Sequence, residues 1–454
     1  MINALQPRES KMKKVLMIAH SFPPFRSVGH SIRVIKFSKY LPALGWMPVI
    51  LTIDDRKEYQ DFLKQGSETL LSDIHQKVTI YRTAAGEPSL EFLEKERKFG
   101  QRNWLTAGIV KVLGGARRWT NRNILLPDRH LAWLPFAVRR GRQIVKSEGI
   151  DVIFATCPPH SDALIGAFLK LITGKPLILD FRDDWIDTPW YHSRSQIIRM
   201  IERRMESWAV KTADKVILVT EWSKNAFLER YPTQAREKFV FISNGVDLEE
   251  FAALNSMAES PLNSRFMILH AGSLNVSKSW GRGPAGLFQA VHDIQQQLPE
   301  LTEKLSLVFA GDLPEEHQRL AEVMGLSGAI KVLGHVPHDE VLRLIQSADL
   351  LLAINYEGWS TLIPGKIYEY WAVGGPPILL LSCPGAAQNL VEKHKLGFVA
   401  PPNEIEAIAK AILMVYHARE NGVPMQVHTD GIAEYDRKVL AKKLVQNLSG
   451  VCHD

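Results

Sequence analysis

The feature that most constrains the fold of this chain is a regular alternation between short apolar segments and longer amphipathic ones. The short segments, such as residues 15–19 and 152–155, are almost wholly apolar, as are strands buried on both faces of a parallel sheet. The segments between them, such as residues 31–44, repeat apolar residues at helical spacing. Because strands that alternate with helices pair in parallel, the sequence predicts an α/β fold with parallel sheets.

The alternation stops and then restarts, which predicts two domains. A turn-like run at residues 244–247 separates the first set of segments from the second, which begins at residues 267–271. A chain of 454 residues, 46% of them hydrophobic, is also too long for one ordinary core. We therefore predict one domain over residues 1–245 and another over residues 246–430. An amphipathic helix in residues 431–454 is expected to return to the first domain.

The two halves of the chain differ in charge. Residues 1–250 contain 39 Lys and Arg against 28 Asp and Glu, whereas the remainder contains 16 against 21. A basic half favours an anionic partner, and because no motif typical of nucleic-acid binding is present, we predict an anionic membrane and no nucleic acid. No apolar stretch approaches the ~20 residues of a membrane-spanning helix, and three scattered cysteines suit a reducing compartment. We expect a cytoplasmic protein with peripheral contact at the inner face of the cell membrane.

One segment, near residues 86–142, breaks the alternation. Residues 95–142 contain 12 Lys and Arg but only two acids, and Trp104, Leu105 and Ile109 recur among them at near-helical spacing. This combination is typical of a helix that lies in a membrane interface. The alternative is a solvated insertion that packs its apolar side on its own domain. The basic bias of the whole half favours membrane contact.

The segment at residues 364–377 carries the most informative local pattern. Pro364 suits the first turn of a helix, and Gly374 suits its end. Lys366 lies near the helix start, where unsatisfied amides bind anions, and Glu369 follows on the same face. A carboxylate there can accept hydrogen bonds from both hydroxyls of a ribose. The alternative is an ordinary amphipathic helix with a surface Lys–Glu pair.

The same segment resembles the donor-site helix of the family-4 retaining glycosyltransferases, and more narrowly of members that build surface polysaccharides. Other stretches resemble the family in the same order over nearly the whole chain: residues 127–133, 179–185, 244–247, 271–274 with 281–284, and 334–337. The resemblance implies the GT-B fold, in which two Rossmann-like domains face each other across a cleft. It also implies retaining, metal-independent transfer of a hexose from a nucleotide-diphosphate-sugar to an acceptor hydroxyl. The acceptor we expect is a glycan, lipid-linked and used in surface polysaccharide biosynthesis.

The resemblance also assigns donor-binding residues in the second domain. Arg282 is expected to hold the donor pyrophosphate, with Lys278 as the second choice, in the loop that begins near Gly272. The backbone near Val336 is expected to hold the nucleobase, and Glu369 the ribose. A fixed basic side chain at the pyrophosphate can stabilise the charge that develops on the leaving group.

The turn before the helix consists of Thr361, Leu362 and Ile363. The amides of Leu362 and Ile363, with Lys366 and Arg282, are expected to stabilise the β-phosphate, so we predict no metal and no cofactor. Many members of the family have two glutamates eight residues apart, and Thr361 stands at the position of the first. The threonine can still hydrogen-bond a sugar hydroxyl. Its presence therefore leaves the identity of the transferred sugar open, but it does not argue against transferase activity.

Three residues of the first domain are candidates for the acceptor side of the cleft. Gly29 lies in the predicted first strand–helix loop, where a missing side chain lets a ligand approach the backbone. Asp183 is the candidate for orienting or deprotonating the acceptor hydroxyl; alternatively it caps the following helix or pairs with Arg182. His160 follows another strand and is a further catalytic candidate, although a lone histidine can equally be structural.

Two other functions fit the same scaffold. One is a nucleotide-sugar epimerase or hydrolase, which would bind the donor through the same helix but need no acceptor. The other is a non-catalytic subunit that binds the nucleotide-sugar, which only the threonine at position 361 favours. Fold alone does not decide between them.

Overall fold

The structure is a computed structural model that describes residues 12–23, 28–54, 73–74, 76–86, 111, 125–186, 188–251, 265–274 and 283–452. The strands, in chain order, are β1 Lys13–Ile18, β2 Trp46–Ile53, β3 Thr79–Thr83, β4 Val152–Cys157, β5 Leu177–Phe181, β6 Lys215–Leu218, β7 Phe239–Phe241, β8 Phe266–Ala271, β9 Leu305–Ala310, β10 Ile330–Val332, β11 Leu350–Ile354, β12 Ile378–Leu381 and β13 Gly397–Ala400. The helices in the same part of the chain are α1 Val28–Tyr40, α2 Leu134–Glu148, α3 Ser161–Thr173, α4 Pro189–His192, α5 Gln196–Thr212, α6 Glu221–Arg230, α7 Leu248–Phe251, α8 Ala285–Gln297, α9 Pro299–Lys304, α10 Glu315–Val323, α11 His338–Ser347, α12 Lys366–Val373, α13 Ala386–Lys393, α14 Ile405–Glu420 and α15 Arg437–Val451.

Each set of strands forms its own parallel sheet. The first sheet has the order β3-β2-β1-β4-β5-β6-β7, and the second has the order β10-β9-β8-β11-β12-β13. The central strands of both sheets are apolar and buried, as the sequence pattern requires of strands with helices on both faces. The predicted fold, two Rossmann-like α/β domains with parallel sheets, is confirmed.

The strand order reverses beside β1 in the first sheet and beside β8 in the second. β1 lies between β2 and β4, and β8 lies between β9 and β11. Connections leave such strands in opposite directions, which opens a crevice beyond their carboxyl ends, and ligands of open α/β sheets bind there. The loops that follow β4, β5 and β8 carry several of the predicted site residues.

The last helix belongs to the core of the first domain. One face of the first sheet is covered by α2, α3 and α5, and the other is covered by α1 and α15. Leu440 and Leu448 of α15 are fully buried in the cluster that contains Phe37 of α1. The backbone fixes this return, since the Arg437 N–H donates to the Val246 carbonyl oxygen at 2.9 Å.

A buried ion cluster joins α1 to the beginning of the second half of the chain. Lys36 Nζ lies 2.7 Å from Asp247 Oδ2 and also donates to Asp73 and Glu250. Burial alone would raise the pKa of Asp247, but hydrogen bonds from Lys36 and Tyr40 outweigh it and lower the pKa to about 2. Within the described ranges, these three carboxylates are the one group placed to hold a metal ion, and the Lys36 ammonium bonds to all of them.

Three features differ from the sequence predictions or lie beyond the described residues. The edge strands β3 and β13 were not predicted, and α1 begins at Val28, so Gly29 lies in its first turn rather than in the preceding loop. Most of the basic insertion, including Trp104, Leu105 and Ile109, lies outside the described residues. Among the helices that the structure does describe, none is both long and apolar enough to span a membrane.

Candidate active site

The predicted donor helix is α12, and its two faces differ. Ile367 and Trp371 are fully buried in the core of the second domain, whereas Lys366 and Glu369 are partly exposed on the opposite side. The helix ends at Gly374, which has φ +70 and therefore adopts a conformation that favours glycine. The amphipathic pattern thus places the lysine and the glutamate together, as the sequence predicts.

Lys366 is held over the backbone at the carboxyl end of β8. His270 Nδ1 lies 3.0 Å from the Leu352 carbonyl oxygen, so Nδ1 carries the proton and Nε2 can accept. Lys366 Nζ lies 2.8 Å from that Nε2. A Cβ on residue 272 would lie 3.2 Å from the same Nζ, and Gly272 has φ +103, so both space and backbone favour glycine. The result is a positioned ammonium group at the strand end.

Glu369 faces a pocket beside this ammonium group. The pocket, called here the donor-side pocket, has an empty volume of about 600 Å³, and its lining includes Gly272, Val336 and Glu369. Burial raises the pKa of Glu369, while His338 and Lys366 lower it. The Glu369 carboxylate makes no hydrogen bond within the described residues, so its oxygens are available to a ligand.

The turn before α12 is fastened to the first domain. Thr220 Oγ1 donates to the Thr361 carbonyl oxygen at 3.0 Å. The Thr361 side chain is buried close enough to Asp184 to lower the pKa of that carboxyl, although burial has the larger, opposite effect. Leu362 and Ile363 lead into the helix start as expected, and the Leu362 amide is already used within the turn. The structure therefore turns Thr361 toward the first domain.

Asp183 lies on the first-domain side of this contact. It is half-buried between two charged neighbours, and burial raises its pKa to about 6, with Arg182 lowering it and Asp184 raising it further. The Arg182 guanidinium donates to the Pro158 carbonyl oxygen, so it is directed at the loop after β4. Within the described chain, the Asp183 carboxylate has no hydrogen-bond partner. It is therefore a weakly acidic group with oxygens open to a ligand.

His160 lies in a second pocket, called here the acceptor-side pocket, with an empty volume of about 720 Å³. Its ring stacks on Trp185, with centroids 5.1 Å apart and planes 8° from parallel. Burial lowers the pKa of His160 to about 4, so the ring is neutral at neutral pH. Its buried Nδ1 has no hydrogen-bond partner in the described part of the chain. A buried polar atom without a protein partner is uncommon, so this nitrogen can hydrogen-bond a ligand that enters the pocket.

The acceptor-side pocket also holds charged groups of both signs. Arg194 forms an ion pair with Glu202, and its guanidinium donates to the Pro127 carbonyl oxygen at 3.1 Å. Asp128 accepts from the Ser161 N–H at 3.1 Å. The pocket thus presents donors and acceptors among apolar walls, which suits a ligand rich in hydroxyl groups.

Several predicted residues cannot be placed, and several useful ones were not predicted. Arg282 and Lys278 lie outside the described residues. His270 was missed because it occupies one position of an otherwise apolar predicted strand, and that isolated polar residue was the available signal. Arg194 and Glu202 were also missed, since ordinary helix-surface spacing does not distinguish them from solvent-exposed charges.

Comparisons with known proteins agree with this architecture. The family model described as Glycosyltransferase Family 4 matches residues 29–250, and the one described as Glycosyl transferases group 1 matches residues 265–418. A search of curated proteins finds no match.

Solved structures resemble the chain over almost its whole length at low identity. A glycosyltransferase from Rickettsia africae ESF-5 is 14% identical with a TM-score of 0.63, covering 97% of this chain and 99% of its own. The lipopolysaccharide outer core galactosyltransferase WaaB, in its apo form, is 13% identical with a TM-score of 0.56, covering 96% and 99%. An α,α-trehalose-phosphate synthase (UDP-forming) from Burkholderia xenovorans, in complex with glucose-6-phosphate, is 14% identical with a TM-score of 0.61, covering 96% and 100%.

At these identities the structures establish the fold, and the activity rests on the family models. Each model matches one of the two domains, and their boundary falls between the two sheets. Together they identify the chain as a family-4-like glycosyltransferase with the GT-B fold.

Proposed function

We propose that this protein transfers a hexose from a nucleotide-diphosphate-sugar to an acceptor hydroxyl, with retention of anomeric configuration and without a metal ion. The observation that carries the proposal is that Gly272 and Glu369 line one pocket and that Lys366 Nζ lies directly beside Gly272. A nucleoside diphosphate needs a positive group for its phosphates and an acceptor for its ribose hydroxyls, and these residues supply both. The α,α-trehalose-phosphate synthase with a similar fold is UDP-forming, and UDP is such a nucleotide.

The leaving diphosphate would be stabilised by fixed positive groups. Lys366 is oriented by its hydrogen bond to His270, so it needs little reorganisation when charge develops on the β-phosphate. The amide of Ile363 and the start of α12 add a favourable dipole. We propose that Arg282, with Lys278 as the second choice, completes this set. Two cationic side chains and the helix start would replace a divalent metal ion.

The acceptor hydroxyl would approach from the first domain. Asp183 follows β5 directly before Asp184, whose neighbour Thr361 begins the turn into the donor helix. A carboxylate with a pKa of about 6 is deprotonated at neutral pH and can orient the hydroxyl or accept its proton. The retaining front-face attack implied by the family resemblance places part of this proton transfer on the leaving phosphate.

The acceptor-side pocket favours a transferase over an epimerase or hydrolase. A donor-only enzyme needs no second polar pocket, whereas a transferase must bind a second sugar beside the first. His160, with its unpartnered Nδ1, and Asp128 would bind hydroxyl groups of that sugar. We propose a lipid-linked glycan of surface polysaccharide biosynthesis as the acceptor, used at the cytoplasmic face of the membrane.

The test is turnover of labelled nucleotide-sugars after exhaustive dialysis against EDTA, with and without a membrane lipid extract. Transfer of label to lipid that persists after dialysis, with the donor's anomeric configuration in the product, supports the proposal. A Lys366→Met variant provides the matched inactive control. Donor turnover that ignores lipid would favour the epimerase or hydrolase, and loss of activity that Mg²⁺ or Mn²⁺ restores would refute the metal-free mechanism.

A further inference from the structure

Two neighbouring helices of the first domain expose apolar side chains that a monomeric surface would ordinarily hide. On α3 the exposed set occupies positions i, i+3 and i+4, and α5 repeats the same spacing, so each set forms a stripe on one face of its helix. The two sets are Phe168, Leu171 and Ile172 on α3, and Ile197, Met200 and Ile201 on α5. Leu171 is 61% exposed and Ile197 is 68% exposed, so these side chains lie mainly in solvent and are not partly buried residues at the edge of the core.

The two stripes belong to one surface. Phe168 of α3 lies against Trp208 of α5, with ring centroids 4.8 Å apart. Ile197 and Trp208 are separated by about three turns of α5, a distance of roughly 16 Å along the axis. The exposed apolar residues therefore follow α5 and continue onto α3. We call this surface the α3/α5 face.

On these helices the acidic side chains are buried and the basic side chains face outward. The two acids of α5, Glu202 and Glu206, are buried, and Asp162 of α3 is fully buried. The basic residues of α5 point outward or are partly exposed: Arg199, Arg203, Arg204 and Lys211. The outer side of both helices thus combines apolar side chains with positive charge and lacks acids, which is the composition of helices that lie on anionic membranes.

The α3/α5 face adjoins the acceptor-side pocket. Arg194, just before α5, and Glu202, within its first two turns, line that pocket, while Ile197 and Ile201 beside them face outward. A bilayer on this face would place lipid headgroups next to the opening through which an acceptor enters. The face therefore lies where a lipid-linked acceptor would be presented.

We propose that the α3/α5 face docks on the surface of an anionic phospholipid bilayer. The docking extends the proposed use of a lipid-linked acceptor, but the binding itself does not depend on catalysis. A second copy of this chain fits the face less well, because pairing two such faces would bring positive charges together without exposed acids on these helices to neutralise them.

The test is sedimentation of the full chain with phosphatidylcholine vesicles that contain or lack phosphatidylglycerol. The charge variant is Arg199→Gln/Arg203→Gln/Arg204→Gln, and its control removes three exposed lysines elsewhere: Lys393→Gln/Lys410→Gln/Lys442→Gln. Each basic residue near an anionic surface contributes about fivefold, so the charge variant should bind on the order of a hundredfold more weakly than the control.

The apolar part is tested with Ile197→Ser/Ile201→Ser. The matched control is Val323→Ser/Val423→Ser, because those valines are 86% and 71% exposed on the second domain. Nucleoside diphosphate binding, measured by thermal shift, checks that every variant is folded. We expect vesicle binding to be weaker by on the order of tenfold in the isoleucine variant and unchanged in the valine control.

Equal vesicle binding by the face variants and their controls would overturn the proposal, as would absence of binding to phosphatidylglycerol vesicles by the unaltered chain. A change of the isoleucine variant from dimer to monomer, without any vesicle binding, would assign the face to self-association instead. If the chain binds vesicles but has no transferase activity, the proposed function would be refuted and the proposed docking would still be supported.

Discussion

Replacement of Glu369 by glutamine tests the donor-side pocket most directly. The carboxylate lines the pocket and has no hydrogen-bond partner within the described residues, so it can accept from two ribose hydroxyls at once. Glutamine keeps the shape and one acceptor oxygen but loses the charge and the second acceptor. A hydrogen bond to a charged group contributes about 1.5–3 kcal/mol, so we expect a tenfold to hundredfold increase in the Kd for nucleoside diphosphates.

The assay is isothermal titration with ribose and 2′-deoxyribose forms of the same nucleoside diphosphate. The unaltered protein should prefer the ribose form, and Glu369→Gln should lose most of that preference. Glu357→Gln is the matched control, since Glu357 is exposed in the loop after β11 and, among the described residues, its one hydrogen-bond contact is with Asn403 at 3.4 Å. Unchanged ribose preference in Glu369→Gln, or an equal loss in Glu357→Gln, would refute the ribose assignment.

Three further predictions concern the rest of the site. Gly272→Ala should lower both the diphosphate affinity and the melting temperature, because the strain of a positive φ costs about 1–2 kcal/mol and the new methyl group displaces Lys366. The control is Gly328→Ala, which has open space around it and should change neither quantity when both are measured by calorimetry. The value of kcat/KM should fall as the pH drops through about 6, because Asp183 becomes protonated there. The Asp183→Asn variant should lose most of the activity and also this inflection. If the variant keeps the inflection, another group is responsible for it. The His160→Phe variant keeps the stacking on Trp185 but removes the unpartnered nitrogen. Steady-state kinetics should therefore show an acceptor KM that is about tenfold higher and an unchanged donor affinity. A weaker donor affinity would contradict the acceptor role.

The central strands of both sheets could be predicted because burial on both faces makes them uniformly apolar. The edge strands β3 and β13 could not, because most of their residues are not fully buried and their sequences lack that pattern. β13 even begins at Gly397, a residue that ordinarily weakens a strand. Sequence periodicity thus misses these two strands, although it finds the other two edge strands, β7 and β10.

The candidate site was predictable where local chemistry repeats a known pattern, and not where it depends on distant pairing. Lys366 and Glu369 share a helix face by spacing alone, so the sequence sufficed. The orientation of Thr361 depends on Thr220, which is 141 residues away along the chain, and that of Lys366 depends on His270, which is 96 residues away. Only the folded chain brings those partners together. The positions of Arg282 and Lys278 stay predictions.

The return of α15 to the first domain affects how this protein must be made. Phe37 and its neighbours are synthesised before the second domain, but the leucines of residues 440–448 that cover them are synthesised after it. The nascent first domain therefore exposes an uncovered apolar groove while the whole second domain is being translated. A protein cut between the second sheet and α15 loses part of the first domain's core, so expression of the separate halves would require α15 to be fused to the first half.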